Sequence, residues 1–211
     1  MDWLHREWAV SYVHNRHVIQ ADLIPATKGS PEGFEYRPEF LDVEEERILL
    51  EMMGSLPFKE AQYREWEAKR RIVSYGGRYD FTHHTLGSAP PIPELLNPLR
   101  ARIADWAGIS STALQCATVA EYRPGTQLGW HRDVPDFEQV MGVSLGGRAR
   151  MRLRPYPPKR GARAARVVEL APRSAYAFRG PARWNWQHAI SPTKELRYSI
   201  TFRTLRIKEP E

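Results

Sequence analysis

The 211-residue sequence predicts an α+β chain in which helices pack on an all-β core of sandwich or jelly-roll type. Three observations carry that expectation. Two stretches, near 42–56 and 93–106, repeat apolar residues at helical spacing between start and stop signals. From about 112 to 205 the texture changes to roughly eight short β-prone runs divided by turn signals. Hydrophobic residues make up 42% of the chain, enough for one sizeable core and too many for a disordered polymer.

Residues 1–35 read as an N-terminal arm and 36–211 as one domain. Pro25, Gly29, Pro31 and Gly33 mark a loop within the arm. His14 and His17 have a metal-binding spacing on a helix but no partners, so they read as surface histidines. The first helix starts at Asp42, which has capping-box spacing to Glu45; Glu44–Glu46 set negative charge at the positive end of the helix dipole. Ile48, Leu49, Met52, Met53 and Leu56 give it an apolar face. Residues 57–90 are polar and aromatic, broken at Gly76-Gly77. Leu95, Leu96, Leu99, Ile103 and Trp106 line one side of the second helix, which Gly108 closes. The β-prone runs are 116–122, 126–132, 140–145, 149–154, 166–170, 174–178, 185–190 and 196–205.

One cysteine, Cys116, rules out an internal disulfide framework and thiolate metal clusters, and reads as a small buried hydrophobe. No apolar run approaches a membrane span, and charges interrupt the N-terminus too early for a signal peptide. A cytoplasmic monomer is therefore expected. The net charge of +6 favours anionic partners such as nucleic acid.

Trp130-His131-Arg132-Asp133 contains His-x-Asp, and on a strand residues i and i+2 share a face. A third ligand must come from a distant strand. His188, about 55 residues on, sits where a jelly roll returns to the same end. Two His and one carboxylate occupy one face of an octahedral iron(II) and leave three positions open. A zinc hydrolase uses the same donors, so the ligands alone do not choose the chemistry.

The segment 197–203 narrows it. Tyr198, Ile200 and Phe202 face one way, and Arg197, Ser199, Thr201 and Arg203 the other. The plain alternative is an edge strand with a wet face. Two arginines and two hydroxyls in register also line a dicarboxylate site, because guanidinium grips carboxylate in a bidentate fork.

With these motifs in place, the sequence resembles the AlkB family of iron(II)/2-oxoglutarate dioxygenases over residues 36–205. His131-x-Asp133, His188 and Arg-x-Ser-x-Thr-x-Arg at 197–203 carry the resemblance, with Glu121-Tyr122-Arg123-Pro124-Gly125 upstream. It implies a double-stranded β-helix (jelly-roll) core and a nucleotide-recognition lid near 57–90. It also implies Fe(II), held by His131, Asp133 and His188, with 2-oxoglutarate and O2 as co-substrates. Arg197 then pairs with the distal carboxylate, Arg203 lies near the iron-side carboxylate, and Tyr122, Ser199 and Thr201 line the co-substrate. Ala120 and Ser199 stand where the family often has Asn.

Family members demethylate nucleobases in DNA or RNA, and others act on tRNA, protein or lipid. Residues 148–166 carry seven arginines and Lys159 with no acidic residue, Arg160 and Arg163 among them. In the strand 149–154, Ala149, Met151 and Leu153 face the core and the arginines face out, a ladder suited to a phosphate backbone. Between 63 and 81 aromatics interleave with cations, so Trp66, Arg71 and Tyr75 are expected to stack and hold the target nucleotide. The expected activity is oxidative demethylation of N-alkylated nucleobases, as in alkylation damage repair. A protein side-chain demethylase or hydroxylase and a non-catalytic jelly-roll module are the alternatives.

Overall fold

The computed structural model describes residues 30–63, 66–159 and 166–207, with residues 62, 63 and 66–68 described by their backbone alone. The expected arm therefore lies almost wholly outside the described residues, as do Arg160 and Arg163, and Trp66 is placed only as the first residue of a strand. In chain order the elements are β1 (Phe34–Arg37), α1 (Val43–Ser55), β2 (Lys59–Tyr63), β3 (Trp66–Tyr75), β4 (Gly77–Asp80), β5 (Thr85–Ser88), α2 (Asn97–Ala107) and β6 (Leu114–Tyr122). There follow β7 (Leu128–His131), β8 (Phe137–Gly146), β9 (Ala149–Pro155), β10 (Arg166–Leu170), β11 (Ser174–Phe178), α3 (Gly180–Trp184), β12 (Trp186–Ile190) and β13 (Arg197–Leu205).

The strands form a seven-stranded sheet, β1-β11-β8-β13-β6-β3-β2, and a four-stranded sheet, β10-β9-β12-β7, with β4-β5 as a separate hairpin. This is the jelly-roll core with helices packed on it. All eight β-prone runs are strands. The boundary expected at residue 35 cuts through β1, whose Phe34 pairs with Phe178 of β11.

One face of the large sheet packs on the helices. Ile200 and Phe202 of β13 and Val119 of β6 meet Leu49 and Met53 of α1 and Leu99 and Ile103 of α2 in one core. The other face meets the small sheet in a second core that holds Ala120, Tyr122, Met151 and Leu153. β13 sits between β8 and β6 and pairs with both, so it is a central strand. Both of its faces are covered, which removes the reading as an edge strand with a wet face: Arg197 is 1% exposed and Ser199 3%.

The helices are tied to the sheet by the charges the sequence marks. Glu45 N–H donates to Asp42 (2.8 Å) and Asp42 N–H donates to Glu45 (2.8 Å), a complete capping box. Glu45 also accepts from Arg102 of α2 (2.6 Å). Glu46 is buried because it has work inside: it accepts from the Gly146 N–H at 2.9 Å and from Arg173 at 3.2 Å. Gly108 closes α2 in the left-handed region at φ 66°.

The stretch 57–90, expected as a polar lid, is built of strands. Trp66-Glu-Ala-Lys-Arg-Arg-Ile-Val-Ser-Tyr75 has no apolar alternation, yet β3 pairs with β6 from Arg71 to Tyr75. Sheet pairing supplies what propensity does not. Gly76 forms the break foreseen there: at φ 73° its backbone approaches Gln115 so closely that a Cβ would meet the Gln115 carbonyl oxygen at 1.9 Å. No helix among the described residues is long and apolar enough to cross a membrane.

Candidate active site

The two sheets enclose a cavity of about 450 Å³, and at one end of it three metal-ligating side chains converge. Antiparallel pairing sets His131 of β7 directly opposite His188 of β12, and the register shifts just beyond them. Asp133 follows β7 by two residues. Donor atoms of His131, Asp133 and His188 all lie within 4.8 Å of one another. His188 Nε2 is 3.8 Å from Asp133 Oδ2. His131 Nδ1 is 2.9 Å from the Gly129 carbonyl oxygen. A carbonyl only accepts, so Nδ1 carries the proton and Nε2 presents its lone pair to the cluster.

Burial sets the protonation a cation needs. Desolvation pushes the His188 imidazole down to about 3 and lowers His131 as well, against the pull of Asp133. Burial, the largest single influence, raises the Asp133 carboxyl, but Arg203, the two imidazoles and Arg183 together outweigh it and hold the carboxyl well below the usual carboxylate range. Two neutral imidazoles and an ionised carboxylate are the form that binds a divalent metal.

At the other end stands Arg197. Its Nε donates to Ser144 Oγ at 2.9 Å, and its guanidinium lies over the Tyr122 ring at 4.9 Å. Both terminal nitrogens are buried without a hydrogen-bond partner. Two parallel orphaned N–H groups on a buried cation call for an external anion, and a carboxylate fits the fork. Tyr122 reinforces the positive end. Burial raises its phenol, but the Arg70 and Arg197 guanidiniums outweigh that and lower it. Ser199 and Thr201 line the cavity between Arg197 and Arg203. The residues present thus fit both an iron(II) ion and a dicarboxylate beside it.

A match to the family description "2OG-Fe(II) oxygenase superfamily" runs over residues 34–207. The chain belongs to this superfamily. An uncharacterized protein, L905, of Acanthamoeba polyphaga mimivirus is 30% identical over 197 residues, 84% of this chain and 86% of that protein. An Arabidopsis thaliana protein named "Alkylated DNA repair protein ALKBH8 homolog" is 30% identical over 201 residues; the match takes in 82% of this chain and 54% of that longer relative. Among solved structures, OsALKBH1 superposes with a TM-score of 0.66 at 18% identity, covering 83% of this chain and 98% of that one. A Trichoplax adhaerens prolyl hydroxylase superposes at 0.55 with 17% identity, covering 82% of this chain and 83% of that one, and shares the fold. The AlkB-like resemblance holds, and the chain is a dioxygenase rather than a non-catalytic module.

Two of the residues expected to contact substrate in this oxygenase are elsewhere. Along β3 the even-numbered residues Arg70, Ile72 and Ser74 line the cavity, joined there by Val73, which also packs on the helix-side core. Tyr75 points the other way and is 7% exposed in the helix-side core. Arg71, also on that side, forks onto Glu121 with two 2.8 Å bonds and lies over the Phe58 ring. The correction is one of parity: a strand turns alternate residues to opposite faces. Arg70, whose Nη1 donates to the Tyr122 hydroxyl at 3.4 Å, is the residue on the site's side. Tyr79 and Phe81, in edge contact at 5.0 Å, supply the aromatic wall from the β4–β5 hairpin and the turn within it.

Arg71 is therefore structural. Glu121 is held below its ordinary value by the Arg71 hydrogen bond, against desolvation. A carboxylate lowered in the fold stabilises above its unfolded value and loses that contribution as pH falls through the folded one. Glu121→Gln should cost about 1–3 kcal/mol at neutral pH. Urea melts at pH 7 and near pH 4 should show the gap from the wild type narrowing in acid.

Sequence reasoning missed Arg183, which is 3% exposed in α3. One of its terminal nitrogens donates to the carbonyls of Val134 and Phe137, both at 2.7 Å. Arg132 returns the connection by donating to the Trp184 carbonyl at 2.7 Å. The loop carrying Asp133 is thus clamped to the helix that leads into His188. Arg183→Met, which leaves both carbonyls without their donor, should weaken divalent-metal affinity by about tenfold or more. Cobalt(II) absorbance titration would measure this independently of turnover.

Proposed function

We propose that this chain is an Fe(II)/2-oxoglutarate dioxygenase that oxidatively demethylates N-alkylated bases of DNA or RNA. The orphaned guanidinium nitrogens of Arg197, enclosed in the same cavity as the His131–Asp133–His188 cluster, carry the co-substrate part of this reading. The nucleobase part is supported by the aromatic wall of Tyr79 and Phe81, the net charge of +6, and the relative named for alkylated DNA repair.

His131 Nε2, a His188 ring nitrogen and an Asp133 carboxylate oxygen would hold the metal. Bound iron(II) supplies, with O2 and 2-oxoglutarate, the oxidising power for an unactivated C–H bond. The protein's own part is placement. Arg197 fixes the distal carboxylate, with Tyr122 against it. Arg203 donates to Asp133 Oδ1 (2.8 Å) and Thr118 Oγ1 (2.9 Å), so it orients the ligand carboxylate and keeps it ionised. Asp133 and His188 keep only 8% and 12% of their side-chain surface exposed, and that burial strengthens the interactions among these charges. Overall, an N–CH3 group becomes N–CH2OH while 2-oxoglutarate and O2 give succinate and CO2; the adduct then loses formaldehyde to leave N–H. A base paired in duplex must be flipped out to reach the cavity.

The test is formaldehyde release from methylated single-stranded DNA, methylated duplex, methylated tRNA and a methyl-lysine peptide side by side. Release from one of the nucleic acids is the expected result. Turnover of the peptide alone would transfer the same iron chemistry to a protein substrate.

A further inference from the structure

The outer face of the small sheet carries an arrangement that the metal and co-substrate chemistry does not use. Arg152 and Arg154 project from β9 on alternate positions, between the buried Met151 and Leu153. Both guanidiniums lie over a single indole, that of Trp130 on β7, at 5.0 Å and 4.3 Å from its ring. The small Ala189 of the intervening strand stands opposite Arg152. Nearer the cavity mouth, Arg132 lies over the Tyr156 ring at 3.8 Å.

Aromatic rings hold guanidiniums in place but do not neutralise them. Among the described residues no carboxylate pairs with Arg132, Arg152 or Arg154, and Arg152 Nε is buried without a partner. The next arginine of the ladder, Arg150, is different: it is paired with Glu169 at 2.8 Å. The uncompensated charge therefore has an end at Arg150 and a beginning beside His131. Residues two apart on a strand stand about 6.8 Å apart, a repeat of the order of that between successive phosphates on a nucleic-acid strand.

We propose that Arg132, Arg152 and Arg154, held by Trp130 and Tyr156, form a track for the phosphodiester backbone flanking the reacting base. This rests on the reading of the substrate as nucleic acid and adds the path the strand takes away from the cavity. Each phosphate neutralised releases counterions, so the track must show in the salt dependence of binding.

The full chain is titrated into fluorescein-labelled oligodeoxythymidylate and, separately, oligouridylate, by anisotropy across a salt series. For Arg152→Gln/Arg154→Gln the slope of log affinity against log salt should fall by about 1.4, at about 0.7 per single-strand phosphate. A charge-matched control, Arg47→Gln/Lys194→Gln, should keep the wild-type slope. Gln187→Glu tests the same track without removing packing. Gln187 already accepts from Arg154 Nε at 2.9 Å, so a carboxylate there would neutralise Arg154 and lower the slope by about 0.7. A steep wild-type slope that neither Gln187→Glu nor the double variant changes would overturn the track and leave the nucleic-acid reading intact. Absence of binding to both oligonucleotides at low salt, or binding to an acidic peptide instead, would overturn both.

Discussion

Asp133→Ala should abolish iron-dependent decarboxylation of 2-oxoglutarate, with a loss well beyond the roughly 10–100-fold cost of disturbing a supporting partner. Removal of the carboxylate leaves two neutral imidazoles, too few donors to retain a labile divalent ion. It also strips Arg203 of the oxygen it binds at 2.8 Å and leaves a mostly buried guanidinium unpaired. Asp133→Asn separates the two effects, because it keeps the shape and one acceptor while removing the charge. Carbon dioxide release with and without chelator measures the first effect. The second is seen in thermal melts without metal, where Asp133→Ala should melt below Asp133→Asn. Metal should raise the wild-type midpoint, since a ligand that binds only the folded state stabilises it, and should leave both variants unmoved. Full turnover by Asp133→Ala or His131→Ala would sink the ligand assignment.

Arg197→Met should raise the apparent KM for 2-oxoglutarate by roughly 100-fold, about 3 kcal/mol, while changing metal affinity little. The same change should not destabilise the protein without co-substrate. In that state the wild type buries a cation whose two terminal nitrogens have no partner, an unfavourable arrangement kept for binding. A normal or raised melting midpoint, together with lost stabilisation by 2-oxoglutarate, is the expected signature. Arg197→Lys should recover only part of the affinity, because an ammonium cannot form the planar fork. An unchanged apparent KM in Arg197→Met would move the anchor elsewhere. Arg203 is the nearest alternative, although its guanidinium already serves Asp133 and Thr118.

Where the chain's pattern has a period, the sequence is a good guide. The capping box at Asp42 and Glu45, the glycine stop at Gly108 and the eight β-prone runs all form, since each is decided within a few neighbouring residues. The alternation in 197–203 assigns each side chain to its face correctly, because the β period is two whatever the surroundings. The stretch 57–90 has no such period. Charged residues occupy both parities of β3, so nothing local tells Arg70 from Arg71 or Ser74 from Tyr75. The expectation of a base-stacking Tyr75 and a substrate-holding Arg71 failed there.

By itself, then, the sequence determined the two long helices, the eight strands from β6 to β13 and the chemistry of the donor set: two His, one Asp, and a strand with two arginines on one face. Those properties follow from residue identity and short-range spacing. The tertiary structure decided what each of them meets. Pairing of β12 with β7 places His188 opposite His131 from a distance of 57 positions. The central place of β13 in the large sheet buries Arg197, turning an ordinary surface arginine sequence into an anion-seeking pocket. Long-range pairing is set by which strands cover which faces, and desolvation exists only once both covers are in place; neither is a property of any segment read alone.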